Sequence, residues 1–198
     1  QIAQYLEKRI ILGELQPNER IQELRLAPEL EVSRGSVREA LLILQRRHLI
    51  TILPRRGAIV TNISSQNAHD FFDLWITLLE KAVVHVAQNW QRKNNEEFSE
   101  IMEKLNAHQS ENDLISFFES GIAFLRTLYH FVTNHYLSGV LLELLPLTKL
   151  YLYTILRAGH SQIHYAWQLL QTLMQAIATR NAMGARDVIR QFGTKYTQ

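Results

Sequence analysis

The chain has 198 residues, with 21 Lys or Arg against 19 Asp or Glu, eight His and no Cys. That length suits two small domains rather than one large one, and the absence of cysteine removes both a disulfide framework and a thiolate metal site. A formal net charge of +2 is too slight to imply nucleic acid by its total, but its placement is uneven. The first 62 residues hold ten cationic and seven acidic groups, a net +3, and the rest a net −1. DNA affinity depends on local placement of cations, so a nucleic-acid reader would have to lie in the first third. No apolar run approaches the ~20 residues of a membrane span and the N-terminus lacks a signal-peptide pattern, which predicts a cytoplasmic protein with no membrane partner. The chain opens at Gln1 without Met, so a few residues are expected to precede it.

Ile2, Tyr5, Leu6, Arg9 and Ile10 fall at helical spacing and predict a first helix over 2–12, ended by Gly13 and the turn Gln16-Pro17-Asn18. A short second helix follows over 23–30, and Glu31-Val32 makes a turn before a third. Ser33 can cap that third helix, whose Val37, Ala40, Leu41 and Leu44 form one buried face. At about 100° per residue, Gly35, Ser36, Arg38 and Glu39 point away from this face, with Arg34 at its edge. Two guanidiniums, a hydroxyl and a helix N-terminus suit phosphates and guanine edges in a major groove, and Gly35 and Ser36 are small enough to allow the approach. The β-rich runs 49–53 and 58–61 then flank Pro54-Arg55-Arg56-Gly57, a hairpin with a cationic tip. Together these elements predict a winged helix-turn-helix over 1–62. Its candidate DNA-binding residues are Ser33, Arg34, Gly35, Ser36 and Arg38 on the helix, and Arg55, Arg56 and Gly57 on the wing.

Residues 63–66 are expected to be a linker, and 67–198 an all-α bundle of about six helices, making the protein mainly α. Helices are predicted over 67–91, 94–108, 114–134, 139–157 with an interruption at Pro146, 161–180 and 182–196.

The series Gly13, Leu15, Pro17, Ile21, Glu23, then Leu30, Val32, Ser33, Arg34, Val37, Arg38, Glu39, Ala40, Leu41, then Arg55, Arg56, Gly57, Val60 resembles the GntR family of bacterial transcriptional regulators in order and spacing. A helical bundle after such a reader resembles the FCD domain of the FadR subfamily. The resemblance implies a homodimer bound to double-stranded, pseudo-palindromic operator DNA and an effector cavity within the bundle. In family members that cavity commonly holds a divalent metal on an acidic residue and three histidines, with an arginine for a carboxylate effector. Carried onto this sequence, those positions fall on Ile76, Gly121, Leu125, Leu170 and Phe192, none of which can ligate such an ion. The expected effector cavity is therefore apolar and without metal or cofactor. It would take a small molecule with a hydrocarbon portion, or else be filled by its own side chains.

Two readings stand beside this one. A metal- or carboxylate-responsive regulator with a shifted ligand set would draw on His130, His160 or His164, of which only 160 and 164 share a helical i, i+4 relation. A protein-interaction module would have lost DNA binding. No phosphate loop, nucleophile elbow or Cys-His pair is present, so no enzyme is expected. Glu80, the one acid in a mostly apolar stretch, reads as a structural group, in an ion pair or an N-terminal hydrogen bond, and not as an acid-base catalyst.

Overall fold

The computed structural model describes residues 1–54 and 56–196. The chain divides into two compact units, Gln1–Asn67 with Leu144–Tyr153, and Ala68–Glu143 with Thr154 onward.

In the first unit, helices α1 (Ile2–Ile11), α2 (Glu23–Glu29) and α3 (Arg34–Arg46) combine with strands β1 (Arg20–Ile21), β2 (Ile50–Leu53) and β3 (Gly57–Val60). The strands form an antiparallel sheet of order β1-β3-β2, with Ile50 opposite Val60 and Leu53 opposite Gly57. Strand β1 had no sequence signal. Two residues cannot show alternation, and only pairing of Arg20 and Ile21 with Ile59 and Ala58 defines it. Leu6, Ile10, Val37, Leu41, Leu44 and Leu49 form the core, each no more than 2% exposed. Glu31, between α2 and α3, adopts the left-handed conformation at φ 54° that reverses the chain there.

The second part of the chain holds α4 (Ser65–Gln88), α5 (Asn95–Ser110), α6 (Leu114–His130), α7 (His135–Leu156), α8 (His160–Ala178) and α9 (Ala182–Thr194), with a 3-10 turn at Arg92–Asn94. Helix α4 starts inside the stretch expected to be linker. Ser64 Oγ accepts from Asn67 N at 3.1 Å, which satisfies a first-turn donor and lets the helix begin early. Helix α6 stops four residues short of its predicted end because Asn134 is spent on the next helix, its Oδ1 accepting from Leu137 N at 3.1 Å. Helix α7 accordingly starts at His135 and continues through Pro146, so the expected interruption is absent. A proline removes one hydrogen bond, and the burial of Leu141, Leu145, Leu150 and Tyr151 along the same helix outweighs it.

Helix α7 is longer and more apolar than the sequence reading allowed. At 22 residues it is long and apolar enough to cross a membrane by length and composition, and 39% of its most apolar window is buried within the protein. Inside the second unit, Phe98, Phe117, Phe124, Leu128 and Tyr129 are at most 1% exposed, with Phe98 edge-on to Phe124 at 5.2 Å between ring centres.

Candidate nucleic-acid interface and bundle interior

Helix α3 is built for presentation. Ser33 Oγ accepts from Ser36 N at 3.1 Å, and the Ser33 and Ser36 hydroxyls share a further hydrogen bond at 2.9 Å. Ser33 is thus occupied as the helix cap. Opposite the buried Val37, Ala40, Leu41 and Leu44, the residues Arg34, Gly35, Arg38 and Glu39 are exposed and Ser36 is half-buried. A Cβ on Gly35 would lie 3.7 Å from Ser33 Oγ, an ordinary contact, so internal packing does not require glycine there. The Arg38 side chain is 69% exposed and its Nη2 donates to Glu23 Oε2 at 3.2 Å. Glu23, which heads α2, was not among the candidate site residues. Its i, i+15 relation to Arg38 becomes visible only when the helix-turn-helix folds.

The wing turn is closed by Arg56 N donating to Leu53 O at 3.1 Å, and Arg56 is exposed. Arg55 lies outside the described residues. Gly57 has a structural reason for its identity. Its φ is +81°, and a Cβ there would sit 2.5 Å from Ile21 O on β1.

A second ionic feature of the first unit escaped the sequence. Glu7 is 7% exposed, Arg47 Nη1 donates to its Oε2 at 2.6 Å, and Lys149 Nζ donates to its Oε1 at 3.0 Å. Glu7 shares the buried face of α1 with Ala3, Leu6 and Ile10, and that was the available signal. A partner 142 residues away was not legible.

In the bundle, Ile76 and Phe192 come to the same place, where α4 meets α9. Ile76 is buried, and a Cβ on Gly193 would lie 2.7 Å from Ile76 Cγ2. Phe192 is half-buried and packs against Phe72, Trp75 and Tyr196, with ring centres 6.3, 6.2 and 4.9 Å away. Leu125 is buried one turn beyond Gly121 on α6, and Leu170 is half-buried on α8. Gly121 is half-buried, between the buried turns of α6 that carry Phe117, Phe118, Phe124 and Leu125, and a Cβ there would meet nothing within 4 Å. Nearby, Trp75 Nε1 donates to Tyr129 Oη at 3.1 Å, and burial pushes the Tyr129 phenol well above its ordinary range against the small opposing effect of that bond.

The histidines find other company. His160 Nδ1 is 2.7 Å from Asn112 Oδ1, and His164 Nε2 is 3.0 Å from Gln168 Nε2. His130 packs edge-on to Phe131. Among the described residues, no three His, Cys, Asp or Glu side chains converge as a metal site would require. Glu80 pairs with Arg190 through two bonds, Nη2 to Oε2 at 2.9 Å and Nε to Oε1 at 3.3 Å, which raises the guanidinium above its usual range.

Residues 1–60 match the family of bacterial regulatory proteins called gntR, and residues 70–193 match the FCD domain. The HTH-type transcriptional repressor GlaR of Escherichia coli strain K12 is 24% identical over 195 residues, covering 94% of this chain and 88% of that protein. The gluconate operon transcriptional repressor of Bacillus licheniformis is 26% identical over 161 residues, covering 79% of this chain. An uncharacterized HTH-type transcriptional regulator of Bacillus subtilis, YdhC, is 32% identical over 83 residues, covering 42% of this chain. The chain spans 64% of the Bacillus licheniformis repressor's length and 37% of YdhC's. The solved structure of E. coli McbR/YncC superposes with a TM-score of 0.82 at 21% identity, over 98% of this chain and 92% of that one. With a matching reader over its first 60 residues and an FCD domain over more than half its length, the chain belongs to the GntR family of bacterial regulatory proteins.

Proposed function

We propose that this protein is a cytoplasmic, non-enzymatic transcriptional regulator that binds double-stranded operator DNA as a homodimer. The observation that carries the reading is helix α3. Its N-terminus is capped by its own serine, its far side is locked into the core, and it offers Arg34 and Arg38 to solvent beside a wing bearing Arg56. Arg34 and Arg38 read base edges or phosphates, Gly35 and Ser36 permit close approach, and the wing cations Arg55 and Arg56 engage the backbone or minor groove. A single helix reads only a few base pairs, so two readers on a pseudo-palindrome supply the affinity and specificity that one lacks.

The bundle takes an apolar effector around Ile76, Gly121, Leu125, Leu170 and Phe192. The open space beside the half-buried Gly121, where a methyl would meet no neighbouring atom, supports this. Such an effector changes DNA affinity by its differential affinity for the two arrangements of the readers.

The test begins with random duplex DNA in a mobility-shift titration across salt concentrations. A working reader binds it with a steep negative slope of log affinity against log salt. Absence of binding at low salt would leave a protein-interaction module in its place. Thermal shifts against medium- and long-chain acyl compounds and against small dicarboxylates, with elemental analysis for metal, test the effector. Stoichiometric zinc, nickel or manganese, or stabilisation by a dicarboxylate, would overturn the apolar cavity.

A further inference from the structure

Helix α7 is continuous from His135 to Leu156, yet its middle, Leu144–Tyr153, packs as part of the first unit while the residues before it belong to the second. Two residues into that segment the helix lacks one backbone donor. Pro146 has no N–H, so the Leu142 carbonyl lacks its regular helical donor. Thr148, fully buried, turns its hydroxyl back onto Leu144 O at 3.0 Å, a bond that favours local bending. Three residues beyond Pro146, Lys149 joins the buried Glu7 carboxylate, and Glu7 in turn holds Arg47, the residue that caps the C-terminal end of α3.

We infer that residues 144–153 are a working part of the first unit, bolted to the end of α3 through Glu7. The charge count favours a bolt over simple neutralisation. A buried carboxylate needs one paired cation, and Arg47, with its 2.6 Å contact, already supplies it. Lys149 adds a second, with its side chain only 19% exposed, and what it adds is position. Each carboxylate oxygen takes one cation, so α1, the end of α3 and the α7 segment share a single ionic centre. Displacement of the segment is thereby delivered to the foot of the helix that presents Arg34 and Arg38. The bolt itself does not depend on DNA binding, and only this last consequence rests on the proposed function.

The experiment is hydrogen–deuterium exchange on the full chain and on its Lys149→Met and Lys149→Arg variants. Methionine keeps most of the side-chain stem and leaves Glu7 paired with Arg47, so the fold survives. Lys149→Met should raise exchange at least tenfold in 144–153 and in 2–11, leave α6 unchanged, and be restored by Lys149→Arg. Unchanged exchange in both segments of Lys149→Met would overturn the inference. So would an equal rise in α6, because that is general destabilisation. Random-duplex binding measured on the same variants reports separately on the reader, and its failure in every protein, parent included, would count against DNA binding and not against the bolt.

Discussion

Gly121→Ala is expected to stabilise the protein, and a loss of stability would tell against open space beside α6. Glycine inside a helix costs about 1 kcal/mol relative to alanine, because its backbone has more freedom to lose. Ordinarily that gain is withheld at a buried glycine, where an added methyl collides with its neighbours and overpacking costs about 1–3 kcal/mol. Here a Cβ meets no heavy atom within 4 Å, although Phe117, Phe118, Phe124 and Leu125 lie on the same side of the helix. No collision offsets the backbone gain, so the net effect is about +1 kcal/mol. For a chain of this size that is about 2–4 °C in Tm by differential scanning calorimetry. A fall in Tm would mean the space beside α6 is closed and that the side chains fill the interior themselves. Extending the side chain to Gly121→Phe should then abolish any thermal shift given by an acyl compound, because the ring takes the ligand's volume.

Arg34→Ala and Arg38→Ala should each leave far-UV circular dichroism unchanged while costing about 1–3 kcal/mol of operator binding per lost bidentate contact. Arg56→Ala should weaken operator and random DNA alike. Parent-like binding by both helix variants in a mobility-shift titration at fixed salt would refute the assignment. Gly57→Ala should destabilise by more than the usual surface substitution, since it combines a left-handed φ with a 2.5 Å approach to Ile21 O; a parent-like denaturant midpoint would contradict this. Stability should fall as pH rises through about 10. Burial raises both Tyr129 and Tyr196, the latter to about 12, so the unfolded chain releases these protons first and is favoured in that window. Tyr129→Phe should flatten the alkaline slope of Tm against pH. It should also cost about 1–3 kcal/mol at neutral pH by leaving the buried Trp75 N–H without its acceptor.

The reader was legible because its evidence is local. The cap at Ser33, the buried stripe from Val37 to Leu44 and the turn before Gly57 each lie within a dozen residues, so periodicity and turn chemistry report them before folding. What escaped was non-local. Glu23 meets Arg38 only across the helix-turn-helix, and Lys149 meets Glu7 only once most of the chain has folded. Helix boundaries slipped where a polar side chain was committed elsewhere, Ser64 to the start of α4 and Asn134 to the start of α7. Pro146 predicts an interruption that the helix does not show. A 22-residue helix with several buried leucines tolerates one missing bond, and no pattern in the sequence weighs those two quantities against each other. In the bundle, the sequence indicated which positions are apolar, but not that Phe192 would join Phe72, Trp75 and Tyr196 while Gly121 stood beside open space.

The contact between Gly193 and Ile76 makes two distant positions behave as one. A methyl on residue 193 would intrude on the branch carbon of residue 76, so the volume available at that crossing is fixed and can only be divided differently between the two helices. Enlarging either residue alone is penalised, whereas enlarging 193 and trimming 76 together returns the crossing to its original spacing. Variants of this protein that drift without losing the fold should therefore change these two positions in tandem, the size of one predicting the size of the other.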